Sequence, residues 1–183
     1  MLRTLHVGMF ALVAAVAVVG CGGGNGPVMI ALDGDFAPYA SWSSVYLGDN
    51  QIAGHPPGPR YGYLNMKAPA GAKKYPVGTI IVKEIHTNGG TDPTTWDLFS
   101  MVKRGGGFND NGALDWEFFI LHLDQSNAPT IVARGTAPAD ASAVDGGTYG
   151  VATNGQTCNV CHAGVGADQT DFILSPLLQP GAQ

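Results

Sequence analysis

Pro-Val-Gly-Thr-Ile-Ile-Val-Lys-Glu-Ile-His, residues 76–86, contains the clearest strand signal of the chain. Its centre is rich in isoleucine and valine, Pro76 and Gly78 open it, and Asn88-Gly89-Gly90 follow it. β-Branched side chains favour strands, whereas proline and glycine interrupt them. The segment therefore predicts a strand at Thr79–His86.

Further strand signals lie on both sides of this segment. Turn-forming Gly, Asn, Asp and Pro residues separate them, and consecutive strands joined by short turns favour an antiparallel sheet. The aromatic segment Asp33–Tyr46 predicts a short helix beginning after Pro38. The sequence predicts an α+β, mainly β domain: an antiparallel sheet with few short helices. The further strands are predicted at Arg60–Met66, Thr95–Arg104, Asp115–Leu123 and Thr130–Arg134.

The first twenty residues resemble an export signal. They contain one arginine and no acid, and the apolar run Met9–Val19 is shorter than the roughly 18 residues of a spanning helix. Val18-Val19-Gly20-Cys21 resembles a bacterial lipobox. We therefore expect a lipoprotein signal peptide at 1–20, an acylated Cys21, a flexible tether at 21–35 and one domain at 36–183. An ordinary signal peptide with an unmodified Cys21 is the alternative.

Gly22 after the cysteine favours the outer over the inner membrane. The expected location is the periplasmic face of a bacterial membrane, through a lipid anchor. Removing residues 1–20 leaves 163 residues with eight basic and 14 acidic side chains, a formal charge of −6. This charge does not favour nucleic acid as a partner.

The motif that indicates a cofactor is Cys158-Asn159-Val160-Cys161-His162. C-x-x-C-H is the attachment signature of c-type haem. One helical turn brings both thiols to neighbouring edges of a porphyrin, and the following histidine can bind the iron. We expect one covalent haem c on a C-terminal helix, bonded through Cys158 and Cys161, with His162 as the metal ligand.

Two alternatives use the same motif. A zinc site would need a fourth ligand, for which His55, His86 or His122 is available. A redox-active cysteine pair would normally lie in a βαβ context, which is missing here.

The other axial position of the iron stays open at this level. Met29, Met66, Met101 and the other histidines are candidates. Only 21 residues follow His162, and none is methionine or histidine. This order is the reverse of that in a common small cytochrome c.

A β-rich domain with a C-terminal C-x-x-C-H resembles the cytochrome P460 family, which includes the related five-coordinate cytochromes c′-beta. The resemblance rests on Pro76–Glu84, on the aromatic strand Asp115–Phe119, and on the motif followed by Asp171-Phe172. It covers roughly residues 36–175. The proline-rich insert at 54–59 and the Ala/Gly-rich loop at 136–150 depart from it.

The resemblance implies two related functions. In true P460 proteins a lysine is bonded covalently to the haem and the enzyme oxidises hydroxylamine; the similar position here is Lys83. Cytochromes c′-beta lack that bond and bind gases such as nitric oxide. A six-coordinate electron carrier is a third function. A redox partner protein and a homodimer are further expectations of the resemblance.

Strand alternation predicts the face of the sheet on which each candidate residue lies. It places Ile81, Lys83 and Ile85 on one face, so that Lys83 lies at a haem edge or extends along apolar surface to solvent. Glu117 falls on an otherwise apolar face and is a candidate catalytic, proton-handling carboxylate.

Three other charged residues have weaker assignments. Arg60 and Arg134 are candidates for pairing with haem propionates, and the alternative for either is a solvated side chain. Glu84 points away from Lys83, so we expect it to be solvent-exposed or to have a cross-strand partner.

Overall fold

A computed structural model describes residues 26–50, 52, 55–139, 157–168 and 170–182. The predicted signal peptide and the predicted lipidation site Cys21 lie outside these residues. No helix in the described ranges is long and apolar enough to cross a membrane.

Six strands form one antiparallel sheet in which each strand pairs with the next along the chain. This meander confirms the predicted mainly β, α+β fold. The strands are β1 (Ser43–Gly48), β2 (Arg60–Leu64), β3 (Ile80–Ile85), β4 (Asp97–Lys103), β5 (Trp116–Leu123) and β6 (Pro129–Gly135).

Helices are short and lie outside the sheet. The α-helices are α1 (Asp33–Phe36) and α2 (Cys158–Ala163), and the 3₁₀ turns are Tyr39–Ser41, Thr87–Gly89, Pro93–Thr95, Pro176–Leu178 and Pro180–Ala182.

The prediction of a short helix after Pro38 is confirmed only in part. Only the 3₁₀ turn at Tyr39–Ser41 forms there, and the chain then enters β1. The reason is tertiary: Ser43–Tyr46 pairs in register with Tyr61–Leu64 of β2, so the sheet overrides the weak helical preference of the segment.

The two faces of the sheet are covered by opposite ends of the chain. On the first face, here called the N-terminal face, Ala31, Phe36 and Tyr39 pack on Val82 and Phe119. Val28 also pairs with Gly105. The part of the predicted tether that the structure describes is therefore packed against the domain from Val28 on.

The second face, here called the C-terminal face, is covered by the chain that follows α2. Phe172, Ile173 and Leu178 pack on Ile81 and Phe118. Gly62 of β2 permits this packing, because a Cβ there would overlap the side chain of Leu178. The motif helix and the chain after it are thereby held over one face of the sheet.

Candidate functional site

A cavity of ≈ 530 Å³ lies on the C-terminal face, between the sheet and the segment that contains α2. This volume is within the usual range of ligand and cofactor pockets. Cavity-lining side chains include Ile81, Lys83, Phe99, Met101 and Phe118 from the sheet, Cys158, Cys161 and His162 from α2, and His55 and Arg60.

The two motif cysteines occupy successive turns of α2. Both line the cavity, both are half-buried, and no disulfide joins them. Residues three apart on a helix lie on the same side, which is why both thiols meet the same cavity. The structure thus brings the predicted attachment residues together.

His162 is oriented by the backbone that follows α2. Its Nδ1 lies 2.7 Å from the carbonyl oxygen of Phe172. A carbonyl can only accept, so Nδ1 carries the hydrogen and Nε2 keeps its lone pair in the neutral ring. Burial lowers the pKa of His162 to about 4, although the bond to Phe172 opposes this shift. A neutral imidazole with Nδ1 tethered to a backbone carbonyl is the usual form of a metal-binding histidine.

The carbonyl that orients His162 belongs to an unusual stretch of backbone. Asp171 and Phe172 have φ values of 49° and 65°, in the left-handed region that bulky residues rarely adopt. Lys103 Nζ donates to Asp171 Oδ1 at 2.7 Å, and the Tyr75 backbone N–H donates to Asp171 Oδ2 at 2.9 Å. The fully buried Asp171 is therefore clamped to the sheet, and Phe172 with it.

Asn159, inside the motif, attaches α2 to the turn before β5. Its Oδ1 accepts hydrogen bonds from Asn109 Nδ2 at 2.8 Å and from the Ala113 backbone N–H at 2.9 Å. Gly112 leaves room for this contact, because a Cβ at that position would overlap the Asn159 amide. Sequence reasoning missed Asn159, since nothing in C-x-x-C-H assigns a task to the residue after the first cysteine.

Gly112→Ala is expected to lower the free energy of unfolding by about 1–3 kcal/mol, because the displaced Asn159 leaves the Ala113 backbone N–H without its acceptor. Urea denaturation measures the change. Gly34→Ala is the matched control, because a Cβ there has no heavy atom within 4 Å. Equal stability of the two variants would contradict this role of Asn159.

Lys83 extends from β3 into the cavity. Its Nζ lies 2.6 Å from His55 Nε2 and 5.2 Å from the centroid of the Phe99 ring. Burial lowers the pKa of Lys83 to about 7 and holds the pKa of His55 well below its usual value. Near pH 7 a large fraction of the amine is therefore neutral. The structure places Lys83 at the same cavity as both cysteines and His162.

Arg60 is the most deeply buried cation of the cavity wall. It is 1% exposed, and its Nε and Nη1 have no partner in the described part of the chain. His55 Nδ1 is also without a partner there. Among the residues that the structure describes, no aspartate or glutamate lines the cavity. Buried guanidinium nitrogens without a hydrogen-bond partner are costly, so this corner of the cavity is suited to an anion.

Glu117, predicted as a proton-handling carboxylate, does not lie at the cavity. It is buried on the N-terminal face, where Arg104 Nη1 donates to Oε2 at 3.0 Å and Arg134 Nε donates to Oε1 at 2.8 Å. Alternation was correctly predicted, but the apolar face that contains Glu117 is the one opposite the motif. Arg134 is thereby also directed away from the cavity, and the expectation that it pairs with a propionate is wrong.

For Glu84 the second of the two predicted alternatives, a cross-strand partner, is confirmed. Glu84 is 3% exposed rather than solvent-exposed, and Tyr63 on the neighbouring strand is one of its partners. It lies on the N-terminal face together with the half-buried His86, whose Nε2 is 2.8 Å from Glu84 Oε1.

Several candidates for the second axial ligand of the iron do not line the cavity. Met101 and His55 line the cavity, whereas Met29 packs on the N-terminal face and Met66 is exposed. Within the described ranges no three His, Cys, Asp or Glu side chains are grouped to hold a metal ion, so the geometry gives the zinc alternative no support.

No family model, curated protein or solved structure matches the chain. The resemblance to the cytochrome P460 family therefore stays a prediction, and the site is interpreted from its own geometry.

Proposed function

We propose that the protein is an exported, lipid-anchored monohaem c-type cytochrome. One observation carries this proposal: two cysteines a helical turn apart and a histidine with a tethered Nδ1 all face one cavity. Cys21 would supply the membrane anchor, and the periplasmic face of the outer membrane is the proposed location.

The residues present fit a haem. Cys158 and Cys161 would bond the porphyrin, His162 Nε2 would bind the iron, and the guanidinium of Arg60 would pair with a propionate. A bound haem c supplies a metal that exchanges single electrons and binds small ligands. Phe99 and Phe118 give the cavity apolar walls, which exclude water from that chemistry.

Within this class we propose redox chemistry on hydroxylamine or a related small nitrogen compound, with electrons leaving to a partner protein. The Lys83–His55 pair favours this function over simple gas binding, because a cavity for a gas needs no proton-handling groups. With its lowered pKa the Lys83 amine can accept or donate a proton near neutral pH, and His55 orients it. Lys83 would also be the residue that modifies the macrocycle, as the family resemblance implies.

A gas-binding function like that of cytochromes c′-beta is the second candidate. The apolar side chains of Phe99, Met101 and Phe118 support it. A six-coordinate electron carrier would need Met101 or His55 as the second ligand.

The test of the proposed function is hydroxylamine oxidation by the exported holoprotein with an artificial electron acceptor. We expect turnover by the wild type, and a loss of about 100-fold or more in Lys83→Met, the range that removal of a proton-transferring group produces. Lys73→Met, at an exposed lysine, is the matched control and should retain wild-type turnover.

Absorption spectra of the same samples separate the alternatives. A red-shifted ferrous spectrum that becomes normal in Lys83→Met supports the modified macrocycle. High-spin spectra without hydroxylamine turnover would contradict the enzyme and favour the gas binder. Low-spin spectra lost in Met101→Leu or His55→Gln would favour the electron carrier.

A further inference from the structure

A second cleft, of ≈ 370 Å³, lies on the N-terminal face of the sheet and is separated from the motif cavity by the sheet itself. Side chains of β2 and β3 contribute to it, together with the 3₁₀ turn at 39–41 and the loop before β4. Six polar or aromatic residues of its lining matter here: Tyr39, Tyr61, Tyr63, Glu84, His86 and Trp96.

Of the carboxylates in the described part of the chain, Glu84 is the one that lines this cleft. The Tyr39 hydroxyl donates to Oε2 at 2.7 Å and the Tyr63 hydroxyl donates to Oε1 at 3.2 Å. His86 Nε2 lies 2.8 Å from Oε1. Burial raises the pKa of Tyr39, and that of Tyr63 to about 12, so both phenols remain donors. A carboxylate has about four acceptor positions, so one position, on Oε2, is left after these three contacts.

Comparison with two other buried carboxylates shows what Glu84 lacks. Glu117 is paired with Arg104 and Arg134, and Asp171 is paired with Lys103. The one ion-pair partner that the described residues give Glu84 is His86, which is a cation only when it is protonated. Buried charges are normally paired, so the Glu84 position is short of one permanent positive charge.

The walls around Glu84 are aromatic. The rings of Tyr39 and Tyr63 meet edge to face, with their centroids 5.2 Å apart. The rings of His86 and Trp96 are stacked, with their centroids 3.8 Å apart and an interplanar angle of 11°. The ring centroids of Tyr61 and His86 are 5.1 Å apart. The faces of tyrosine and tryptophan rings attract cations, and rings arranged around a negative charge are the usual recognition site for alkylammonium groups.

We propose that this cleft binds a small organic cation of the alkylammonium class, with Glu84 as its counter-ion and the rings of Tyr61 and Trp96 as its walls. The bound cation supplies the permanent positive charge that Glu84 lacks among the described residues. This site is independent of the haem function, because it lies on the other face of the sheet.

Isothermal titration calorimetry of the full-length holoprotein with choline tests the proposal. The matched probe is 3,3-dimethylbutan-1-ol, which has the same shape with a neutral carbon in place of the charged nitrogen. We expect choline to bind at least about tenfold more tightly than the neutral alcohol, a difference of the size that desolvated cation–π pairs and a counter-ion provide. Equal affinities, or no heat with choline, would overturn the proposal.

Two variants test the named residues. Glu84→Gln keeps the shape and most hydrogen bonds of the side chain, and Trp96→Leu removes one wall from a half-buried loop position. Each should weaken choline binding about tenfold or more, while Asp49→Asn, at an exposed carboxylate, should not change it. Unchanged binding in both Glu84→Gln and Trp96→Leu would refute the assignment.

Haem absorption recorded on the same samples distinguishes this result from the proposed function. Choline binding with an unperturbed haem spectrum supports the separate site. Choline that binds only by altering the haem spectrum would place it in the motif cavity and overturn this inference, leaving the proposed function in place.

Discussion

The double variant Cys158→Ala/Cys161→Ala, made in a Lys83→Met background, is expected to lose covalently attached haem completely. A thioether requires a thiol, and the described chain brings no other cysteine to the cavity. Each single variant should retain one attachment and a lower yield of holoprotein. The measurement is haem staining after denaturing electrophoresis of the exported protein, together with its intact mass.

Val160→Ala is the matched control for the cysteine variants. Val160 lies between the two cysteines in α2 and is 53% exposed, so it is not part of the cavity wall. It should retain full haem content. Haem that survives denaturation in the double cysteine variant with Lys83→Met would contradict attachment through the motif.

The second large effect is expected from Lys103→Met. Removing one partner of a buried ion pair leaves Asp171 charged and uncompensated, which costs about 3–5 kcal/mol. That is a large part of the 5–15 kcal/mol by which a typical domain is stable. Urea denaturation should show the loss. The orientation of the His162 ring should change as well. Asp171 holds the backbone segment whose Phe172 carbonyl orients His162.

The double variant Lys103→Met/Asp171→Asn provides the control. An asparagine oxygen can still accept from the Tyr75 backbone N–H, and no buried charge remains. It should be more stable than Lys103→Met alone. If the single variant were as stable as the wild type, the pair would not be the clamp described here.

The strands of the sheet were largely predictable because their signals are local. Ile80, Val82 and the β-branched residues around them alternate between two buried faces, and Gly and Asn residues mark the turns. β1 was not predictable in this way. The formation of β1 depends on its pairing in register with β2, which no local sequence pattern encodes.

The motif residues were also predictable, because two thiols and an imidazole at fixed spacing have few chemical explanations. What the sequence could not supply was the assignment of faces. Glu117 and Lys83 both occur in strands with apolar alternation, yet only Lys83 is on the face that the C-terminal segment covers. The bond from His162 to the Phe172 carbonyl and the burial of Arg60 Nε and Nη1 without a partner likewise depend on contacts between distant parts of the chain.

The most direct test of the central claim is the intact mass of the exported wild-type protein after acid denaturation, together with its reduced pyridine haemochrome spectrum. The account predicts a polypeptide that keeps the mass of one haem, with a spectrum typical of two thioether bonds. A colourless protein whose mass does not include a haem would contradict it.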